Sequence, residues 1–455
     1  MLPFSTLLTF DKTAKTPVFL QIAAALTENI RRGIVPVGAQ LPGTRMMADL
    51  LQVHRKTVVA AYEELLAQGW LETQHSRGTF VSQKLPEIRP IALEKNGQPT
   101  AATAQKPGFH FQSNPLLASP IFKGSHDLAF NDGFPDVRIA PWDALSRAYR
   151  TVLRQGYRKN LLFYGETTGE PSLRAAVTDY LRESRALPIS IDNVLITRGT
   201  MMAIHLAVQC IVQPGEVVLV GEVSYTSCNL IIRQGGAKLL TVPVDEQGMD
   251  VEAIARLCQK MPVRMVYVTP HHQHPTTVIM PAERRLRLLQ LARTYGFCIL
   301  EDDYDYDFHY NSSPILPLAA ADAGHNVVYV GSLSKVFSPA LRVGYVVAPA
   351  EVIAAMANLR RIIDRQGDNL LEAAVAVLFR DGEMRRHLKK AQKIYHRRRD
   401  FFCGLLKTEL GQVIEFAKPT GGLAVWARFD RAFPLPEIAR KCREKGLWIS
   451  DGLHY

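Results

Sequence analysis

A lysine among serines, Gly331-Ser332-Leu333-Ser334-Lys335, is followed seven residues later by Arg342 and then by Gly344. A lysine amine condenses with an aldehyde to a Schiff base. An arginine near hydroxyls suits a dianionic phosphate, because its guanidinium offers several donors in a fixed fork. The serine-lysine pattern alone is weak; Arg342 and Gly344 after it sharpen it. A second stretch, Ile299-Leu300-Glu301-Asp302-Asp303-Tyr304, ends an apolar run in carboxylates. A third, Ile196-Thr197-Arg198-Gly199-Thr200-Met201-Met202, reads as a strand turning into a helix at a Gly-Thr step. Backbone N–H groups at a helix N-terminus bind phosphate.

One cofactor uses all three parts. Pyridoxal 5′-phosphate (PLP) carries an aldehyde, a phosphate and a pyridine ring that acts as an electron sink only while its nitrogen stays protonated, which calls for a carboxylate partner. The expected roles are Lys335 on the aldehyde, Asp302 at the pyridine nitrogen and Tyr304 facing the ring's phenolic oxygen. Arg342, Ser332, Thr200 and Met201 are expected around the phosphate. Tyr225, in Gly221-Glu222-Val223-Ser224-Tyr225, is a candidate to stack on the ring, with an ordinary core or surface tyrosine as the competing reading. Asp303, Asp305 and Asp307 alternate like the start of an EF-hand, but that loop wants Gly at its sixth position and Glu at its twelfth, where Phe308 and Pro314 stand. His271, His272 and His274 crowd together without a second ligand cluster, so no metal site is expected.

Positioning these groups takes a sheet. Short β-branched runs stand at Val194–Thr197, Val217–Val220, Leu239–Val242, Met265–Thr269, Cys298–Glu301, Val327–Val330 and Val343–Ala348. Helical stretches separate many of them, which predicts an α/β domain with a mostly parallel sheet covered on both faces. Met384 through Leu406 predicts a long basic helix whose arginines face solvent or another subunit.

The chain has 455 residues, too many for one ordinary core, and splits by composition into a helical region 1–82, a linker 83–125 rich in Pro, Gln, Ala, Thr and Lys, and an α/β region 126–455. With 47% hydrophobic and 21% charged residues, global disorder is excluded. No apolar run reaches about 18 residues, so no transmembrane helix is expected. The N-terminus lacks the marks of a signal peptide. Six cysteines without a C-x-x-C pair predict a reduced, cytoplasmic protein. A formal charge of +11 favours an anionic partner, nucleic acid or phosphate.

In the first region, Leu20, Ile22, Ala23, Leu26 and Ile30 share a helical face. Met46, Met47, Leu50 and Leu51 are expected to form the apolar face of a short helix, and Val58, Val59, Tyr62, Leu65 and Leu66 that of the next, with a tight turn at Gln52-Val53-His54. This is helix-turn-helix layout. Gly69 stops the second helix, and Trp70-Leu71 and Thr79-Phe80-Val81 pair as a hairpin wing around Ser76-Arg77-Gly78. A recognition helix carries basic and polar residues at the end that enters the major groove. Arg55, Lys56 and Thr57 sit there; Arg45 in the helix before is placed for phosphate, and His75, Arg77 and Gly78 belong to the wing. The competing reading is a helical protein-interaction module with solvated basic residues.

Residues 14–82 resemble the winged helix of the GntR family of bacterial repressors, in the pattern from Leu41-Pro42 and Arg45 through Arg55, Thr57-Val58 and Gly69-Trp70 to Gly78-Thr79 and Val81. The chain departs from it at Gly43 and His54, where Ser is usual, so His54 is expected to give up a cap or a phosphate contact. From about residue 127 onward the chain resembles the fold-type-I, aspartate-aminotransferase-like PLP enzymes, and as a whole it resembles the MocR-type regulators. That resemblance places His274, in Thr269-Pro270-His271-His272-Gln273-His274-Pro275-Thr276, near the phenolic oxygen, where aminotransferases usually have Asn. Thr277 replaces a usual Gly. In Phe163-Tyr164-Gly165, Tyr164 is implied to reach the phosphate of a neighbouring subunit, hence a homodimer. Pro419 through Trp426 matches the family's P-x-G-G-x-x-x-W segment.

Relatives of this kind continue through another strand and helix that carry an arginine for an amino acid's carboxylate. The chain ends at Tyr455, so amino-acid effectors are expected to bind weakly or not at all, with Arg138 as the candidate substitute. The implied function is a PLP-binding, ligand-responsive transcription regulator acting on operator DNA, with an amine or amino acid as effector. The competing reading is an aminotransferase carrying a DNA-binding module. His274 and the missing clamp favour the regulator.

Overall fold

Ile22, Ala23, Leu26 and Ile30 recur at helical spacing, and all four are buried along α2 (Val18–Arg31), which follows the short α1 (Phe4–Leu7). The structure, a computed structural model, describes residues 2–85, 107–111, 114, 128–130, 133–310 and 315–452. Most of the expected 83–125 linker lies outside these residues. The chain divides into two compact units, Met1–Phe111 and Gln112–Tyr455.

In the first unit, α2 packs with α3 (Thr44–Leu51) and α4 (Arg55–Ala67). The buried residues of α3 are Met47, Ala48 and Leu51, and those of α4 are Val58, Ala61, Tyr62 and Leu65. The expected faces are thus corrected at three positions: Leu20, Met46 and Leu50 are exposed. Small alanines, Ala48 and Ala61, take the inner positions, because close helix approach leaves no room for longer chains. Gln52, at φ +51°, ends α3. His54 does not give up its cap: its Nδ1 accepts the Lys56 amide at 3.2 Å. A ring nitrogen there does the work of a serine hydroxyl, satisfying one of the four N–H groups that a helix start leaves unpaired. His54→Ala is expected to lower the stability of this unit by about 1 kcal/mol, read by thermal denaturation. The wing pairs β1 (Leu71–Gln74) antiparallel with β2 (Gly78–Val81), and Gln40 bridges Phe80 on the other side.

Among the described residues of the second unit, the first strand is β3 (Leu128–Ala129), which pairs in parallel with Leu447–Trp448. The helices α5 (Trp142–Gln155) and α6 (Pro171–Arg185) precede the main sheet. Its strands are β4 (Val194–Thr197), β5 (Val217–Gly221), β6 (Lys238–Val242), β9 (Met265–Val268), β10 (Cys298–Asp303), β11 (Val327–Ser332) and β12 (Gly344–Val347). A small hairpin, β7 (Val244–Asp245) with β8 (Gly248–Met249), stands aside from it. The order is β4-β12-β11-β10-β9-β5-β6, and only β12 runs antiparallel. All residues of β4, β5, β9, β11 and β12 are buried. Alternate residues feed two cores, Val194 and Ile196 to one, Leu195 to the other, as a strand's two-residue period requires. Helices α7 (Thr200–Ile211) and α8 (Thr226–Gln234) cover the second core. The long basic helix runs Glu383–Leu410; within it Arg399 is buried and donates to the Pro419 carbonyl at 2.5 Å, while Lys389, Lys390, Lys393 and Arg397 are exposed.

Candidate functional site

Open parallel sheets bind ligands beyond the carboxyl ends of their strands, and the motif residues gather there. β10 ends in Asp302 and Asp303, paired with Val330 and Gly331 of β11, which runs on into Ser332 and Lys335. β4 ends at Thr197, and the antiparallel β12 begins at the same edge, with Gly344 opposite both Thr197 and Ser332. That reversed strand brings Arg342 to the start of α7. Arg342 donates from Nη2 to the Arg198 carbonyl at 2.8 Å. Gly199 stands at φ +79°, and a Cβ there would meet the Arg342 guanidinium at 2.8 Å; a Cβ on Gly344 would meet the Gly199 backbone at 2.8 Å. Only glycines let these three segments close up. Thr200 and Met201 then open α7, where first-turn N–H groups have no partner within the helix.

Ser332 is buried, with its hydroxyl 3.0 Å from that of Ser334 and accepting the Ser334 amide at 3.1 Å, so it shapes the turn before Lys335. Lys335 is half-buried, with Nζ 5.0 Å from the centre of the Phe134 ring. Asp302 is 3% exposed; its Oδ2 accepts the Tyr267 hydroxyl at 2.9 Å, and its buried Oδ1 has no hydrogen-bond partner. Burial pushes the Asp302 carboxyl up to about 7, against the opposing pulls of the Tyr267 hydrogen bond and the Lys335 charge.

Three rings stand together nearby. His274 lies 5.5 Å from Tyr225 and 6.1 Å from Tyr304, both edge-on. The Tyr225 hydroxyl meets the Met201 sulfur at 3.6 Å. Tyr304 donates its hydroxyl to the His272 carbonyl at 2.9 Å, so that proton is already given to backbone. Thr277 holds the left-handed turn, φ +64°, in the place where glycine is usual. The alternating carboxylates each meet a protein donor: Asp303 takes the Tyr329 hydroxyl, Asp305 lies 2.7 Å from His272 Nδ1, and Asp307 lies 2.8 Å from Arg185. Among the described residues no group of three or more His, Cys, Asp or Glu is arranged to hold a metal ion.

Other sequence candidates lie elsewhere on the surface. Tyr164 is 78% exposed, under the Arg365 guanidinium at 4.3 Å. Arg138, the candidate carboxylate clamp, already holds Asp136 through two bonds of 2.8 and 2.9 Å. On the first unit Arg45, Arg55, Lys56, His75, Arg77 and Gly78 are exposed and Thr57 is half-buried. Arg55 reaches Thr44 Oγ1 at 3.3 Å, which draws the start of α4 toward α3. Sequence reading missed Tyr267 and Arg185. The only signal for Tyr267 was one hydroxyl in an otherwise apolar strand; Arg185 looked like an ordinary cation at a helix end.

Residues 19–81 match the bacterial regulatory proteins of the gntR family, and residues 139–454 match aminotransferase class I and II. The chain is 30% identical to the probable rhizopine catabolism regulatory protein MocR of Rhizobium meliloti over 98% of this chain and 88% of that protein. It belongs to the MocR-type regulators. The HTH-type transcriptional regulator TauR of Rhodobacter capsulatus is also 30% identical, over 94% of this chain and 87% of its own. Among solved structures, LysN, the α-aminoadipate aminotransferase of Thermus thermophilus complexed with N-(5′-phosphopyridoxyl)-L-leucine, superposes with a TM-score of 0.66 at 27% identity, covering 70% of this chain and 81% of that one. A MocR-type chain is a transcription regulator that binds operator DNA through its winged helix, and the cofactor of its aminotransferase-like domain is PLP. No helix among the described residues is long and apolar enough to cross a membrane.

The residues present fit that cofactor. The orphaned, buried Oδ1 of Asp302 is the kind of acceptor a pyridinium N–H requires, and the glycine-lined start of α7 beside Arg342 suits a phosphate. When bound, PLP supplies an aldehyde to a lysine amine and an electron-drawing ring.

Proposed function

We infer that this MocR-type regulator couples an amine or amino-acid ligand at Lys335 to its affinity for operator DNA. The observation that carries the reading is Asp302, with one buried oxygen held by Tyr267 and the other without a partner, at the sheet edge that also bears Lys335 and Arg342. In this reading Lys335 takes the cofactor's aldehyde, Asp302 takes its ring nitrogen, and Tyr225 lies against the ring. His274 and Tyr304 border its phenolic side; Arg342, Ser332, Thr200 and Met201 hold its phosphate. Tyr164, exposed beside Arg365, is offered to a second subunit, so a homodimer completes each site. The reader spans 1–82, the linker 83–125 and the cofactor domain 126–455, working in a reducing cytoplasm where the six cysteines stay free. Control by an effector requires contacts that differ between two states of the protein.

DNA recovered with the purified chain and sequenced supplies the operator. Band-shift titration with amines and amino acids then tests the coupling; no change in operator affinity with any of them refutes it. Steady-state transamination at about 1 s⁻¹ or faster would instead make the chain a working aminotransferase. The reader is tested in the same assay. Arg45→Ala is expected to weaken binding to every sequence and to lower the slope of log affinity against log salt by about 0.9, the loss of one phosphate contact. Arg55→Ala is expected to cost about 1–3 kcal/mol and to relax sequence preference, as loss of a base contact does. Unchanged affinity in both variants would move the DNA contact off the winged helix.

A further inference from the structure

The carboxylate of Asp302 has two oxygens with different fates. Oδ2 accepts the Tyr267 hydroxyl at 2.9 Å; Oδ1 is equally buried and has no partner. Tyr267 is itself buried on β9, opposite Leu300 of β10, and its ring belongs to the apolar core beneath the sheet edge. A strand on either side fixes both residues, so the hydroxyl approaches the carboxylate from a set direction. We propose that Tyr267 is a positioning residue for the cofactor: by holding Oδ2 it sets the plane of the Asp302 carboxylate and leaves Oδ1 as the acceptor for the pyridine N–H. The proposal rests on the assignment of Asp302 to the ring nitrogen.

The chemistry of the surroundings supports this division. Burial first, then the neighbouring Asp302 charge, pushes the Tyr267 hydroxyl well above its ordinary range, so it stays protonated and keeps its proton for Oδ2. Asp302 is pushed up to about 7 by burial, and the Tyr267 hydrogen bond is the foremost influence opposing that rise. Among the described residues, the other foremost titratable or charged groups acting on Asp302 are Lys335 after β11, Cys228 on α8, and Asp303 and Asp305 on its own segment. Cys228 is itself buried and its thiol is pushed up, so it brings no charge. Without Tyr267 the carboxylate has Lys335 alone among these to favour ionisation, and two buried oxygens instead of one stand unsatisfied. An uncharged, freely turning carboxyl is a poor partner for a protonated ring nitrogen.

The test is PLP binding to the full-length chain by equilibrium dialysis across pH, with PLP itself as the probe. Tyr267→Phe removes one oxygen and keeps the ring that fills the core. It is expected to bind PLP roughly tenfold more weakly near neutral pH, the weight of one hydrogen bond to a charged group. The pH below which binding is lost is expected to rise by roughly one unit, because the carboxyl must ionise without its donor. Placing 3,5-difluorotyrosine at 267 strengthens the donor while adding only two small ring substituents, and is expected to move that same limb downward. A role confined to packing moves neither limb. Wild-type affinity and an unmoved acid limb in both variants overturn the proposal. Asp302→Asn keeps the failures apart: if it also leaves PLP affinity unchanged, the assignment of Asp302 falls along with Tyr267, whereas a strong loss there with none at 267 removes Tyr267 alone.

Discussion

Lys335→Ala is expected to abolish covalent retention of the cofactor completely, from one pyridoxyl group per chain after borohydride reduction to none. Lys335 follows the carboxyl end of β11, on the turn that Ser332 holds through the Ser334 amide, and its Nζ acts on Asp302 across the site. The substitution leaves Asp302, Tyr267 and Arg342 in place, so PLP should still associate reversibly and the fold should be unchanged. Peptide mapping of the reduced wild-type protein is expected to find the added mass on the fragment containing Lys335. Label on any other lysine refutes the assignment. The variant also separates two activities. If operator binding in the absence of effector survives while the response to amines disappears, the site controls the reader; if both are unchanged, it does not.

The parts of this site that were legible in the sequence are those whose chemistry depends on local order. Lys335 with Arg342 and Gly344, and Gly199 with Thr200, are short-range patterns, and the seven strand-like runs were visible because strands buried on both faces are continuously apolar. The reversal of β12 was not legible: Gly344–Val347 looks like any other buried strand, and only its pairing between β4 and β11 sets its direction. The cap at His54 was missed because a histidine in place of serine reads as a loss, although its Nδ1 can accept the same amide. The apolar spacing points Met46 and Leu50 toward the core, while the short α3 turns Ala48 inward instead. Tyr267 and Arg185 depend on partners 35 and 122 residues away, and no local pattern carries that information. The hidden half of the site is thus its support: what aims Asp302 comes from a neighbouring strand, and what neutralises Asp303 and Asp307 comes from a helix far back in the chain.

That support predicts a large loss of stability from a single side chain. Arg185, 2% exposed at the end of α6, lies 2.8 Å from Asp307 Oδ2 and 3.9 Å from Asp303 Oδ2, and its Nε reaches the Tyr329 hydroxyl at 3.1 Å. Its guanidinium also lies over the rings of Tyr180 and Tyr306 at 4.8 and 4.4 Å. Replacing it by Met keeps much of the volume and takes the cation from buried Asp303 and half-buried Asp307, which keep only neutral donors such as the Tyr329 and Tyr180 hydroxyls. Breaking a buried ion pair from one side costs about 3–5 kcal/mol. The loss depends on pH, with a definite sign. Burial pushes Asp303 up to about 6, with Arg185 the foremost influence restraining it. A carboxyl raised in the folded state binds its proton more tightly there than in the unfolded chain, so its contribution is full at low pH and is lost as pH rises through the folded value. Removing Arg185 raises Asp303 further and lengthens that losing interval. Urea unfolding at about pH 5 and about pH 8 should therefore find Arg185→Met far less stable than wild type at the higher pH and closer to it at the lower. Adding Asp303→Asn should recover part of the deficit at the higher pH, because it removes one of the charges left without their cation. A deficit of the same size at both pH values would mean that Arg185 acts through packing on Tyr180 and Tyr306 rather than through its charge.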